Sequence, residues 1–227
     1  MLTRRTILPA ALAATAVLLA GACSPSGGSD SAGGAGGRPV ARGTALAAVN
    51  TLTVKGRAPK TGYEREKFGR AWVDVDGNGC GTRDDILKRD LTGVRFTDGH
   101  CKVASGTLTD DPYTGTTVRY VRGRSKVDID HVVALSDAWQ KGAQKWDGET
   151  RRRFANDPLN LLAVDSATNR GKSDGDAATW LPPNKAYRCT YVARQVAVKK
   201  KYGVWVTAGE RDAMKRVLGT CPKQKLP

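Results

Sequence analysis

Histidine is scarce in this chain, and cysteine lacks the spacing of a metal site. Only two of the 227 residues are histidine, and no two of the five cysteines have C-x-x-C spacing, which argues against structural zinc. No internal repeat is present, and the apolar run from Ile7 to Ala20 is too short to span a membrane. Acidic residues are also outnumbered, 22 against 37 Lys and Arg, and the resulting net charge of +15 favours a polyanionic partner.

The first residues read as a targeting segment. Arg4 and Arg5 precede the apolar run and small residues follow it, which predicts a signal peptide over 1–22. The sequence "LAGAC" resembles a bacterial lipobox and predicts lipid attachment at Cys23, whereas Ala20-Gly21-Ala22 also fits ordinary cleavage and release. The Gly/Ser-rich tether over 23–43 favours the lipoprotein, held at the extracellular face of the cell membrane, over the secreted form.

Four cysteines remain after Cys23, an even number that predicts two disulfides in an exported protein. Three connectivities are open. The pairing that is local in sequence is favoured, because each pair then lies in its own stretch of chain. It joins Cys80 to Cys101 and Cys189 to Cys221.

The periodicity over 44–227 predicts one α+β domain that is mostly helical. A β-hairpin is expected within 101–121, and short strands are expected at "KVDID" and "NLLAVD". Helices are expected after Ser136 and Ser166, which read as N-caps, and over 185–202. A last helix should begin with the capping box formed by Thr207 and Glu210.

One constellation of residues has the chemistry of phosphodiester hydrolysis. That reaction needs a base for the attacking water and a cation for the developing charge. His131 supplies an imidazole, and its neighbour Asp130 supplies a carboxylate that points to the opposite face of an extended strand. Asn160 and Asn169 follow on the next strand and helix and add oxygen donors, which hard divalent cations prefer.

This order of strand, strand and helix carrying D-H, N-L and N-x-x-K resembles the HNH endonucleases, also called ββα-metal or His-Me finger nucleases. Further stretches, "WVDVDGNGCGTRDDIL", "DPYTG" and "SDGDAATWLPPNKAYRC", are similar to a secreted bacterial branch related to the GmrSD-type nuclease domain. The resemblance implies a ββα-metal core inside the α+β domain.

The resemblance also implies a role for each matching residue. His131 corresponds to the general base, Asp130 and Asn169 to the metal ligands, and Asn160 to the residue that braces the hairpin loop. Lys172, one turn after Asn169, is expected to reach the scissile phosphate. Many relatives have histidine where this chain has Asn169, so Mg²⁺ or Mn²⁺ is expected rather than zinc. A long helical insertion over 132–158 separates the two motif strands.

The stretch from Asp74 to Asp85 copies the ligand spacing of an EF-hand loop. Asp74, Asp76 and Asn78 stand at ligand positions, which makes Ca²⁺ one interpretation, but the last position is Asp rather than Glu. An Asx-rich turn is the other interpretation. In either case the neighbouring Arg83 is expected to contact a substrate phosphate.

The sequence therefore predicts an exported, metal-dependent endonuclease that hydrolyses DNA with little sequence preference, with RNA as a further candidate substrate. Its expected partners are nucleic acid and, through the lipid anchor only, the membrane; no obligate protein partner is predicted. Two alternatives stay open: a surface-anchored polyanion-binding protein with an inactive nuclease fold, and a phosphodiesterase acting on wall or lipid phosphates. The basic runs 151–153 and 199–201 are expected on solvated helix faces or along a nucleic-acid groove.

Overall fold

The computed structural model describes residues 43–227, which form seven α-helices and five β-strands and confirm the predicted α+β class. The helices are α1 Ala45–Val49, α2 Thr82–Asp90, α3 Leu135–Gln140, α4 Gly148–Ala155, α5 Ser166–Lys172, α6 Arg188–Tyr202 and α7 Ala208–Gly219. The strands are β1 Thr92–Phe96, β2 Val103–Leu108, β3 Val118–Val121, β4 Val127–His131 and β5 Leu161–Asp165. The predicted signal peptide, the lipid attachment at Cys23 and the tether up to residue 42 lie outside the described residues.

The strands form two small antiparallel sheets. The first has the order β1-β2-β3 and contains the hairpin predicted within 101–121, as β2 and β3. Its third strand, β1, was not predicted; three of its five residues are exposed, and its pairing with β2 contains register shifts. The second sheet pairs β4 with β5, so that Asp130 lies opposite Leu162 and His131 opposite Leu161. These are the two short strands expected at "KVDID" and "NLLAVD".

The β4–β5 hairpin is buried on both faces. Leu161 and Ala163 pack with the three-stranded sheet and α2, whereas Leu162 and Val164 pack with α6 and α7. This alternation follows from the two-residue period of a strand. Because each face already has a hydrophobic neighbour, a polar group on the hairpin needs a partner within the protein.

The helix caps differ in detail from those expected. Asp165, rather than Ser166, caps α5 by accepting from the amide of Thr168. Ser136 does not cap α3 and instead donates to Asp174. Thr207 caps α7 as predicted, but the side chain of Glu210 turns inward, so only half of the capping box forms.

Glu210 belongs to a buried ionic network that connects α3, α6 and α7. The ammonium of Lys141 lies 2.6–2.7 Å from carboxylate oxygens of Asp137, Asp176 and Glu210. Lys199 contacts Asp137 and Glu210 from α6 and is 1 % exposed, which corrects its expected place on a solvated or DNA-facing surface. Arg57 completes the network at its edge, so that three cations face three carboxylates.

Both predicted disulfides are present. Cys80 is joined to Cys101, which ties the loop before α2 to the turn before β2. Cys189 of α6 is joined to Cys221, just after α7. Among residues 43–227, no helix combines the length and the apolar character that crossing a membrane requires.

Candidate functional site

The two strands β4 and β5 and the helix α5 form a compact ββα unit. Strand β5 leads directly into α5, because Asp165 is both the last strand residue and the helix cap. The long insertion between the strands contains α3 and α4, as expected. Despite the insertion, the strands pair residue for residue from Val127 with Asp165 to His131 with Leu161.

A cavity of about 490 Å³ opens along β4, and we call it the polar cavity. It brings together four of the predicted site residues: Asp130, His131, Asn169 and Arg83. Other residues that line it include Lys60, Arg65, Trp72, Asp128, Leu135 and Asp174. Two predicted site residues, Asn160 and Lys172, do not line this cavity and are buried beside it.

His131 is the last residue of β4 and is 7 % exposed. Its Nε2 atom lies 2.8 Å from the carbonyl oxygen of Ala155. Because a carbonyl oxygen only accepts hydrogen bonds, Nε2 carries the proton and Nδ1 keeps a free lone pair. Ala155 ends α4, where the final carbonyls have no partner within the helix. The insertion therefore supplies the group that fixes the histidine tautomer.

Burial lowers the pKa of His131 to about 3, and the positive charges of Arg65 and Lys172 act in the same direction. The hydrogen bond to Ala155 opposes this effect without reversing it. The imidazole is therefore neutral at physiological pH, which is the protonation state that accepts a proton.

Asn160 braces the turn that follows His131. Its Oδ1 atom accepts from the amide of Val133 at 2.9 Å, and its Nδ2 atom donates to the carbonyls of Val133 and Phe154. Its own carbonyl accepts from the amide of Val132. With 0 % exposure, Asn160 acts on the backbone of the loop and does not face the cavity.

Asp130 is held at both carboxylate oxygens. Oδ2 accepts from the hydroxyl of Tyr113 at 2.5 Å, and Oδ1 accepts from the ammonium of Lys172 at 3.0 Å. Burial raises the pKa of Asp130, and the neighbouring cation and hydroxyl oppose that shift. Sequence reasoning assigned no role to Tyr113, although it lies in the "DPYTG" stretch that carried the resemblance.

Lys172 differs from its expected role. It is 2 % exposed, and its ammonium donates to Asp130 and to the carbonyl of His131. The predicted contact with a scissile phosphate is therefore corrected to an interior ion pair. The reason is the helix face: the position three residues after Asn169 points into the hairpin rather than along the cavity.

Asp128 is the second site residue that the sequence analysis missed. It lies two residues before Asp130, on the same face of β4, and its Oδ2 atom accepts from Nδ2 of Asn169 at 3.3 Å. This donation leaves Oδ1 of Asn169 available as an acceptor. The two-residue period of the strand was the signal that pointed to Asp128.

The oxygen donors at this cavity fit a hard divalent cation. The carboxylates of Asp128 and Asp130 and the amide of Asn169 line it, and Mg²⁺ is typically bound by one or two carboxylates together with waters and substrate phosphates. A third carboxylate, Asp174, accepts from Lys60 and Ser136. Within residues 43–227, no three His, Cys, Asp or Glu side chains cluster as a metal site, so an all-carboxylate or zinc-type set does not form in that part of the chain.

Cationic side chains border the donors. Lys60, Arg65 and Arg83 line the same cavity. Arg83 also lies over the indole of Trp72, 5.8 Å from the ring centroid. Its placement agrees with the phosphate contact predicted for it, which stays a prediction.

The EF-hand-like loop directs its oxygens toward its own backbone. The carboxylate of Asp74 accepts from the amides of Gly77 and Gly79, and Asn78 accepts from the amide of Cys80. Asp76 accepts from the amide of Asn78. These are the bonds of an Asx-rich turn. Calcium at Asp74, Asp76 and Asn78 stays a prediction.

Comparison with known proteins supports the GmrSD-type nuclease-domain part of the resemblance. Residues 81–217 match the family described as "GmrSD restriction endonucleases, C-terminal domain", and this match includes β4, β5 and α5. The chain is also 41 % identical over 180 residues to a protein of Arthroderma benhamiae described as "Uncharacterized secreted protein", which covers 78 % of this chain and 85 % of the relative. The chain therefore belongs to the family of GmrSD restriction endonuclease C-terminal domains, a family related to nucleases.

Proposed function

We propose that this protein is an exported, divalent-metal-dependent endonuclease of the HNH type, acting on DNA and also able to accept RNA. The observation that carries the proposal is the polar cavity, where neutral His131 adjoins the oxygen donors Asp128, Asp130 and Asn169. Membership of a restriction-endonuclease domain family supports a nucleic-acid substrate.

In this proposal His131 is the general base. Its Nδ1 lone pair accepts a proton from the attacking water, while Ala155 holds Nε2–H and so keeps the ring in one tautomer and orientation. A base that starts neutral needs no prior deprotonation at physiological pH. Asn160 maintains the backbone that presents the ring.

The oxygen donors would hold the cation. Asp130 is oriented for this role by Tyr113 and Lys172, and Asn169 is oriented by Asp128. A bound divalent cation supplies charge neutralisation at the scissile phosphate and at the leaving 3′-oxygen. Arg83 and Arg65 would attract the neighbouring phosphates, and the net charge of +15 favours approach to a polyanion.

Export is part of the same proposal. Two disulfides are typical of proteins in oxidising compartments. The relative from Arthroderma benhamiae is described as secreted, which supports export of this chain as well. Acylation of Cys23 remains a prediction, and mass spectrometry of the mature N-terminus would test it.

A plasmid-nicking assay tests the proposed activity. Supercoiled DNA should be converted to nicked and linear forms in Mg²⁺ or Mn²⁺, stopped by excess chelator and restored by added cation. DNA that is bound but not cleaved under all of these conditions would favour the polyanion-binding alternative. Faster turnover of a small phosphodiester than of plasmid would favour the phosphodiesterase alternative.

A further inference from the structure

A second cavity, of about 370 Å³, adjoins the polar cavity at His131, and we call it the side cavity. Arg65, Trp72, His131 and Leu135 line both cavities, so a ligand that spans the two passes directly by the imidazole. The side cavity differs in character, because most of its lining surface is apolar and Phe68 contributes to it. A volume of this size is within the range of small-ligand sites.

The backbone at Trp72 is fixed before any ligand arrives. Trp72 has a φ of +60°, a conformation that is costly for a bulky side chain and persists only where the surroundings impose it. Gly81 approaches so closely that a Cβ atom there would lie 2.9 Å from the carbonyl oxygen of Trp72. The hydroxyl of Thr82 donates to the carbonyl of Val73, and Cys80 is fixed by its disulfide.

The EF-hand-like loop positions Trp72. The loop returns the chain from Val73 to Gly81 by means of its Asx-type hydrogen bonds, and it thereby sets the position of Trp72. The ring lies nearly parallel to that of His131, with an interplanar angle of 19° and centroids 6.2 Å apart. An aromatic platform therefore stands beside the proposed general base.

One residue that lines the side cavity carries a buried polar atom that has no partner within the described part of the chain. Asn156 is 1 % exposed and lines the cavity; its Nδ2 atom donates to Arg152, but its Oδ1 atom has no hydrogen-bond partner among the described residues. A buried acceptor of this kind is costly unless a ligand or water satisfies it. The charged side chains that line the cavity are Glu66, Arg65 and Arg70, so its charge alone does not choose between ligands.

We propose that the side cavity binds the nucleobase next to the scissile phosphate, stacked on Trp72 and donating an N–H hydrogen bond to Asn156. A flat heteroaromatic ring with N–H groups matches the aromatic platform, the largely apolar lining and the acceptor of Asn156. This inference rests on the proposed function, because it assumes that the scissile phosphate lies in the polar cavity. Base stacking on an aromatic side chain tolerates every base, which agrees with low sequence preference.

The proposal implies a preference for unpaired nucleotides. A base enters the side cavity only after it leaves its neighbours, which costs free energy in a duplex and little in a single strand. Single-stranded DNA should therefore be cleaved faster than duplex of the same sequence. Trp72→Ala should reduce this advantage, because it removes the platform that receives the base.

The test uses a single-stranded oligonucleotide in which one linkage is an ordinary phosphodiester and the others are nuclease-resistant phosphorothioates. The base on one side or the other of that linkage is then removed to leave an abasic sugar. For the wild-type protein, kcat/KM should fall roughly 10-fold at one of the two positions. Trp72→Ala should cleave the intact oligonucleotide roughly 10-fold more slowly and lose the dependence on the base. Trp72→Phe should recover part of it.

Trp205→Ala is the matched control, because Trp205 is an indole that lines neither cavity. It should keep the wild-type response to the abasic position, and thermal melting checks that every variant is folded. Equal kcat/KM for intact and abasic substrates in the wild type would overturn the proposal. An undiminished abasic effect in Trp72→Ala would overturn it as well.

A binding measurement separates this proposal from the proposed activity. Fluorescence anisotropy of a labelled oligonucleotide whose linkages are all phosphorothioate requires no cleavage and therefore uses the wild-type protein. The intact strand should bind roughly 10-fold more tightly than the abasic one. Trp72→Ala should abolish that difference. If the wild-type protein does not cleave the ordinary phosphodiester but the difference in binding is present, the nuclease proposal fails and the base site stands. If the wild-type protein cleaves the oligonucleotide but binds the intact and abasic strands equally, only the proposed base site is contradicted.

Discussion

The ammonium of Lys172 lies 3.0 Å from Oδ1 of Asp130, and both side chains are buried. The same ammonium donates to the carbonyl of His131, and Tyr113 donates to the other oxygen of the carboxylate. One lysine on α5 therefore connects the proposed metal ligand with the backbone of the proposed base. Lys172 therefore ties α5 to β4 at the two residues that need a fixed position for the proposed catalysis.

The Lys172–Asp130 pair should be strongly coupled in stability. Lys172→Met leaves a buried carboxylate without its cation, and removal of one partner of a buried pair typically costs about 3–5 kcal/mol. Asp130→Asn added to Lys172→Met should recover part of that loss, because the uncompensated charge is gone. Urea unfolding of the two single variants and the double variant measures the coupling.

Lys200→Met is the control for this cycle, because Lys200 is an exposed residue of α6. Its free energy of unfolding should change little. Strict additivity of the Lys172 and Asp130 substitutions would contradict the interior ion pair.

The hydroxyl of Tyr113 should contribute to stability through Asp130. Tyr113→Phe leaves an oxygen of a buried carboxylate without its donor, at a cost of about 1–3 kcal/mol. Tyr120→Phe is the matched control, because Tyr120 is 2 % exposed and its hydroxyl makes no hydrogen bond to any described residue. Thermal and urea unfolding compare the two variants, and equal effects would remove the role assigned to the Tyr113 hydroxyl.

The ionic network around Lys141 should make the free energy of unfolding depend on pH. Burial alone would raise the pKa of Asp176, but the hydrogen bond and charge of Lys141, with Arg57, hold it below its ordinary value. A carboxylate with a lowered pKa stabilises the fold above the pKa of the unfolded chain, and this contribution is lost as the pH falls. Asp176→Asn should therefore be most destabilising near neutral pH, and its deficit should shrink below about pH 4.

Unfolding free energies of wild type and Asp176→Asn across that pH range test this prediction. Asp212→Asn, on an exposed residue of α7, should have little effect at neutral pH. A deficit for Asp176→Asn that is constant from neutral to acid pH would show that the carboxylate charge does not stabilise the fold.

Much of the site could be predicted from the sequence because its elements are local. The β4 and β5 strands, the place of His131 at the end of β4 and the two disulfides follow from short-range pattern and spacing, and the structure contains them. The bracing contacts of Asn160 also lie where the resemblance implied.

The remaining features depend on contacts that the sequence does not encode locally. Lys141 and Glu210 are 69 positions apart, and the local pattern placed Glu210 in a capping box rather than in the interior. Helical spacing correctly put Lys172 one turn after Asn169, but it did not reveal that this face is covered by the hairpin. The alternation of β4 was enough to predict that Asp128 faces the site. The position of Trp72, in contrast, depends on the close approach of Gly81, which the local sequence does not show.

The oxygen donors of the polar cavity should determine the Mg²⁺ concentration that cleavage requires. Asp128→Asn and Asn169→Ala should each raise the Mg²⁺ concentration for half-maximal cleavage by at least about 10-fold, because changes even in groups behind the ligands have effects of that size. Initial cleavage rates across a Mg²⁺ titration measure the shift, with Asp212→Asn as the control. An unchanged Mg²⁺ dependence in both variants would exclude these side chains as ligands.

The rate of plasmid cleavage by His131→Ala relative to wild type, in saturating Mg²⁺ and at equal DNA occupancy, tests the central claim most directly. Loss of a general base predicts a fall of at least about 100-fold, with DNA affinity close to wild type and the variant still folded at the assay temperature. Cleavage by His131→Ala at the wild-type rate would contradict the account, because the neutral imidazole in the polar cavity would then not be the base.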